Sequence, residues 1–230
     1  MLIDRRLKKF KNIHKGKRAF AIASGPSLNK IDLSLLEGEI TLGVNRVYIK
    51  EDLNLNYLFV GDRQTAIQYK KELANVEVDA LFSSRGIYTD VFRNPNHYYF
   101  TGHGAWEFHP NVMEKIHGGR SVSFVVMQFA YYMGIDELYF LGLDHSWDIS
   151  KSLSKGRQLT TVGEDVNHFD PNYYGDGIKW FEPKYEEMEK SFKMASKFYR
   201  KNKRVLANAT PDTALSGRII RKVKYEELFK

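Results

Sequence analysis

Short apolar runs alternate with segments of helical periodicity along most of this chain. Residues 18–23 (RAFAIA) predict a buried strand that ends in Ser24-Gly25-Pro26-Ser27. Residues 40–44 and 57–60 predict two more strands, the second ending at Gly61-Asp62, and 80–83 and 98–101 predict weaker ones. The apolar stretch 121–133 (SVSFVVMQFAYYM) is too long for a strand and reads as a buried helix closed by Gly134. A strong strand follows over 137–143 and reaches Asp144. Residues 184–201 read as an amphipathic helix with Met188, Phe192, Ala195 and Phe198 inward, and 204–206 as a last short strand.

Strands that alternate with helices imply an α/β fold, a modified Rossmann-like and mostly parallel sheet with helices on both faces. In such sheets ligands bind beyond the carboxyl ends of the strands, where the strand order switches. The unusual residues stand at those ends: Ser24 to Ser27, Asn45-Arg46, Gly61-Asp62-Arg63 and Asp144-His145. The alternation breaks between Ser146 and Pro183, where five residues are Gly or Pro and aliphatics are few. Rings and a histidine remain there: Asn167-His168-Phe169, Tyr173-Tyr174 and Trp180-Phe181. This content predicts a long active-site lid over 146–182 in place of a solvated linker.

Composition narrows the chemistry. The 230 residues are 43% hydrophobic and 27% charged, an ordinary globular balance, and there is no cysteine. Disulfides, thiol catalysis and Cys-ligated metals are therefore excluded. No apolar stretch approaches the roughly 20 residues that span a bilayer, and no signal-peptide core precedes the first strand, so the expected location is cytoplasmic. The net charge of +7 belongs to one segment, because residues 1–18 carry eight basic side chains and only Asp4, leaving 27 of each sign elsewhere. A neutral body argues against a nucleic-acid-binding domain. The division predicted is a basic amphipathic arm, 1–17, and one nucleotide-binding domain, 18–230. Ile3, Leu7 and Phe10 lie at helical spacing in the arm. They either pack on the domain, the reading favoured here, or attach the chain loosely to the inner face of a membrane.

Several residues carry candidate chemistry. Gly25 lets backbone amides approach a phosphate or ribose, Pro26 sets the turn and Ser27 offers a hydroxyl. Gly118-Gly119-Arg120-Ser121 opens the buried helix, either as an anion site or as a plain cap by Ser121. Asp62 and Asp144 can hold Mg²⁺ or sugar hydroxyls, or can cap helices. His168 is a candidate general base, and Tyr173 and Tyr174 either donate hydroxyls to a phosphate or pack the lid. His145 adds a second ring at a strand end. The other histidines lack the spacing of a metal site.

The strand leading into Gly-Pro-Ser-Leu (25–28), with Asn45 after the second strand, resembles the opening of the bacterial sialyltransferase family. The block GGRSVSFVVMQFAYYMGIDELYFLGLDHSW resembles that family's segment from its Thr-Ser-Gly to Tyr-Leu-Ser-Gly-Ile-Asp. With NHFDPNYYGDG added, the chain also resembles bacterial proteins of the 6-hydroxymethylpterin diphosphokinase-like fold associated with surface glycans. The likeness runs from about residue 18 to 206. The first resemblance implies a CMP-sugar-dependent glycosyltransferase acting on a surface-glycan acceptor, with no cofactor required. It implies nucleotide contacts for Gly25 and Ser27, a ribose or donor-sugar contact for Asn45, a place near the donor for Ser121, phosphate contacts for Tyr173 or Tyr174 and the role of base for His168. Ser24, Pro26, Asp62, Gly119, Arg120, Asp144 and His145, from the same strand-end and helix-start turns, complete the expected nucleotide and donor set, with Asp144 also expected to be catalytic. Ser24 stands where that family has Asn, and His168 lies in Asn-His-Phe where the family has His-Tyr-Ile-Gly-His. The second resemblance implies ATP, Mg²⁺ and Asp62 with Asp144 as ligands. A non-catalytic nucleotide- or glycan-binding protein is the third expectation.

Overall fold

The computed structural model describes residues 3–103, 106–156 and 158–230. In chain order, β1 (Arg18–Ile22), β2 (Ile40–Val44) and β3 (Tyr57–Val60) are followed by α1 (Arg63–Gln68), α2 (Lys70–Asn75), β4 (Ala80–Ser84), α3 (Arg85–Asp90) and β5 (His97–Phe100). A two-strand ribbon, β6 (Gly102–His103) with β7 (Ile116–His117), precedes α4 (Val122–Tyr132) and β8 (Glu137–Leu141). Then come β9 (Ser152–Lys155), β10 (Gln158–Thr161) and β11 (Lys179–Phe181), the long α5 (Tyr185–Lys201), β12 (Val205–Asn208) and β13 (Arg221–Lys222).

Eight strands form one sheet in the order β13-β12-β8-β1-β2-β3-β4-β5, and every pairing in it is parallel. The period-2 alternation of each strand splits its side chains between two cores. Ala19, Ala21, Tyr57, Phe59, Phe82, Leu138 and Phe140 face α4 and α5. Phe20, Ile22, Leu58, Val60, Leu81, Tyr139 and Leu141 face the other side, which α1 to α3, the lid and the C-terminal turn Tyr225–Phe229 cover. Both faces are covered, which is why these strands read as continuous apolar runs. The strand order turns between β1 and β8. From β1 the chain builds outward to β5, then returns through α4 to lay β8 on the other side. The ends of β1 and β8 thus part around a crevice.

Three segments differ from the sequence pattern, the first being the edge strand β13, whose exposed Arg221 and Lys222 carry no apolar signal. The lid carries its own antiparallel sheet, β11-β10-β9. Its strands are short and polar, and few of their residues are buried, Leu159, Thr161 and Trp180 among them, so apolar alternation could not announce them. The arm forms a six-residue 3-10 helix, Arg5–Phe10, capped by Asp4. Leu7 and Phe10 are buried in the core. Phe10 packs edge-on against Phe82 and Tyr98 at 5.0 and 5.1 Å between ring centroids. The arm's apolar face is therefore spent on the body, as the favoured sequence reading expects. Among the described residues no helix is long and apolar enough to cross a membrane.

Candidate functional site

A cavity of about 570 Å³ opens at the carboxyl ends of the parallel strands. Each strand end contributes through the turn that follows it. Ser24 and Gly25 follow β1, Asn45 follows β2, Gly61 and Asp62 follow β3, and Asp144 and His145 follow β8. Arg120 and Ser121 come from the start of α4, Lys184 from the start of α5, and His168 and Tyr174 from the lid. The two glycine-bearing turns that the sequence singled out therefore meet in one place.

The β1 and β8 turns are locked together. Asp144 is half-buried, and its Oδ2 accepts from Ser27 Oγ at 2.6 Å and its Oδ1 from Ser27 N at 3.1 Å. Burial pushes the Asp144 carboxyl above its usual value, and the two bonds from Ser27 pull it back. Gly25 N donates to Gly142 O at 2.9 Å. A Cβ on Gly25 would lie 1.9 Å from Asp144 Oδ2, so only glycine lets the two turns approach this closely. Asn45 adopts a left-handed φ of 49°, a conformation asparagine tolerates, and its Oδ1 accepts from Gly61 N at 3.1 Å. Asp62 caps α1, its Oδ1 accepting from Gln64 N at 2.8 Å and its Oδ2 from Thr65 Oγ1 at 2.8 Å.

At the start of α4, Ser121 Oγ accepts from Ser123 N at 3.2 Å, the expected cap. The helix start faces the cavity through Ser121, Val122 and Ser123. Arg120 Nε donates to Glu187 Oε2 at 2.6 Å, and Lys184 Nζ donates to Glu187 Oε1 at 2.5 Å. Two cations of the cavity wall thus share one carboxylate. His145 is buried with φ 55°. Its Nε2 stands 3.5 Å from Glu189 Oε1, and burial holds its pKa below the usual imidazole value.

The lid lies down on the crevice. Phe169 N donates to Ser24 O at 3.0 Å, and Asn29 Nδ2 donates to Phe169 O at 2.7 Å. Arg46 reaches across to donate to the carbonyls of Asn172 and Tyr173, both at 2.9 Å, with its guanidinium over the Tyr69 ring. Beneath this strap, His168 Nδ1 lies 2.7 Å from Asp165 Oδ2. Asp165 is buried, and its carboxylate also accepts from Tyr174 N at 3.0 Å and from Asn167 N at 2.8 Å. The His168 ring stacks on Tyr173 at 3.9 Å between centroids. A carboxylate at Nδ1 fixes the tautomer with the proton on that nitrogen. Nε2, which has no partner among the described residues, is left as a proton acceptor on a ring that lines the cavity.

Ten of the residues picked from sequence line this cavity: Ser24, Gly25, Asn45, Asp62, Arg120, Ser121, Asp144, His145, His168 and Tyr174. Pro26, Ser27, Gly119 and Tyr173 do not. Ser27 turns to Asp144, and Gly119, at φ 54°, packs where a Cβ would meet the Phe124 ring at 2.3 Å. Tyr173 is fully buried, its hydroxyl pushed up to about 12 by burial and its oxygen accepting from Arg46 N at 3.1 Å. Asp62 and Asp144 each have both oxygens in hydrogen bonds with their own chain. Among the described residues no group of three or more His, Asp or Glu side chains could hold a metal. The sequence reading missed Asp165 and Lys184, and it marked Arg46 only by its place after β2. The only signal for Asp165 was its position three residues before His168.

No family model matches the chain, and no curated protein sequence does. Among solved structures, the crystal structure of a variant of the sialyltransferase CST-II in complex with CMP is similar, with a TM-score of 0.50 and 17% identity. The similarity covers 88% of this chain and 85% of that one. At this identity the likeness is one of fold, and the fold the two share is the α/β, mostly parallel sheet described above.

Proposed function

We propose that this protein is a glycosyltransferase that uses a nucleotide-activated sugar, with a CMP-sugar as donor and a glycan hydroxyl as acceptor. The observation that carries the reading is the Asp165–His168 pair, whose Nε2, without a partner among the described residues, belongs to a ring of the cavity wall. The shared fold with a CMP-bound sialyltransferase supports the choice of nucleotide. In the reaction, an acceptor hydroxyl oxygen attacks the anomeric carbon while the bond from that carbon to the phosphate oxygen breaks. CMP leaves with the bonding electrons, and His168 Nε2 takes the hydroxyl proton. Asp165 orients the ring and steadies the imidazolium that forms. The start of α4, with Arg120 and Lys184, meets the negative charge that develops on the departing phosphate. The strap over 165–174 keeps water from the donor.

The test is a thermal-shift series with CMP, UDP, GDP, ADP and ATP, with and without Mg²⁺, paired with CMP release from CMP-sialic acid. A ligand at 100 times its dissociation constant stabilises by about 2.7 kcal/mol. Stabilisation by CMP and release that His168→Ala slows by ~10²–10⁴ are expected. A response to ATP with Mg²⁺ alone would move the reading to a diphosphokinase. Nucleotide binding without turnover under any acceptor, and with no effect of His168→Ala on function, would move it to a binding protein.

A further inference from the structure

The basic arm lies at the pole opposite the cavity. Residues 12–16 run along the end of α4, with Asn12 N, His14 N and Gly16 N donating to the carbonyls of Tyr132, Met133 and Gly134 at 3.0, 2.8 and 3.1 Å. Arg6 pairs with Asp4 and donates to His97 O, at the start of β5. The cavity holds the opposite ends of the same elements, the start of α4 and the exit of β1. The 11 residues of α4 put about 16 Å between the two.

Because Leu7 and Phe10 point inward, the outward side of the arm is charge. Arg5, Lys8, Lys9, Lys11, Lys15 and Lys17 are exposed. None of these six has an ion-pair partner among the described residues, and the remainder of the chain is neutral. Of the large hydrophobics, Ile13 stands exposed among them. Lys9 Nζ donates to the Tyr98 hydroxyl and lies over the Tyr98 ring, so the other five cations, within 13 residues on a fixed backbone, form the concentrated positive face. Four of the five are lysines, point charges without the planar fork that reads bases or phosphates in pairs, and the arm's one aromatic ring, Phe10, is buried. Stacking rings and arrays of arginine forks serve nucleic acids, and among the described residues this face has no exposed aromatic ring and a single unpaired arginine, Arg5. A smeared negative surface needs only charge.

We infer that the arm is a docking face for an anionic lipid bilayer, held by charge rather than by apolar insertion, with the cavity turned away from the lipid. The experiment uses the full chain with sedimented vesicles, one set of phosphatidylcholine and one with 30% phosphatidylserine, at low and at high salt. Binding to the anionic vesicles at low salt, its loss at high salt and its absence on neutral vesicles are expected. Combined replacement of Lys8, Lys11, Lys15 and Lys17 by Gln weakens binding roughly fivefold per lysine. The same variant keeps its melting temperature and its CMP-induced shift, because the cavity is at the other pole. Equal binding of the variant and the parent, equal binding to neutral vesicles, or no binding to anionic vesicles at low salt overturns the inference. So does tighter retention by duplex DNA or polyglutamate than by vesicles at equal charge. None of these results depends on whether the cavity transfers a sugar.

Discussion

Replacing Asp165 by Asn probes the pair on which the proposed chemistry rests. The carboxylate has two oxygens and accepts three bonds, from Asn167 N, Tyr174 N and His168 Nδ1. An amide has one oxygen. If that oxygen keeps Asn167 N, the NH₂ group faces Tyr174 N–H and the imidazole, which must then turn Nδ1 into an acceptor. The ring's proton moves to Nε2, and the base is lost. If the amide flips, its NH₂ group opposes Asn167 N–H instead. General-base catalysis contributes typically ~10²–10⁴ in rate, or about 3–5 kcal/mol, and kcat for CMP release should fall by that factor. The donor KM should hold within a few fold, because Asp165 does not line the cavity. Stability should drop by about 1–3 kcal/mol from the mismatched buried donors, so urea denaturation must show the variant folded under assay conditions. The decisive measurement is the cycle with His168→Ala. If Asp165 acts only through His168, the double variant is no slower than His168→Ala alone. Additive losses, or an Asp165→Asn enzyme with kcat within threefold of the parent, would refute the dyad.

Three further outcomes follow from the same geometry. Gly25→Ala should cost about 2–3 kcal/mol and abolish the CMP-induced thermal shift, since its methyl collides with Asp144 at the cavity wall; an unchanged shift would show that this turn does not face the nucleotide. Tyr174→Phe should weaken CMP binding, whereas Tyr173→Phe should cost about 1 kcal/mol of stability and leave CMP affinity intact, because only Tyr174 lines the cavity; the reverse ranking in titration calorimetry would contradict the assignment. The buried His97 bonds Ser83 Oγ at 2.7 Å and is held near a pKa of about 4, by burial first and by Arg93 and Arg6 second. Its folded value lies below the unfolded 6.5, so the stability it confers is complete above 6.5 and is lost as pH falls toward 4. Urea denaturation of the parent between pH 7 and pH 4 should lose about 3 kcal/mol more than that of His97→Gln, which does not titrate there; parallel losses would remove His97 from the acid response.

Apart from the exposed edge strand Arg221–Lys222, which carries no apolar signal, the sheet was legible in the chain because its strands are buried on both faces, so each appears as an apolar run with a turn at its end. The residues of those turns, Gly25, Asn45, Asp62 and Asp144, were legible for the same reason: they interrupt the runs at the rim where parallel sheets bind ligands; Ser121 was legible as the start of the buried helix. The lid was visible as a break in the pattern that kept rings and a histidine, with no sign of its strands. Its strands have one weakly buried face, and their pairing comes from backbone hydrogen bonds that no side-chain period records.

The amino-acid sequence by itself determined a parallel α/β sheet, a neutral body with a basic arm and the rim that carries the candidate chemistry. These depend on local periodicity and on charge counts, which need no knowledge of what lies across the molecule. Only the tertiary structure decided that Tyr174 and not Tyr173 meets the cavity, that Asp165 orients His168, and that the arm's apolar side is buried while its lysines face outward at the far pole. Neighbouring residues of the same type are equivalent until a fold gives one of them a cavity and the other a core, and long-range contacts alone make that choice.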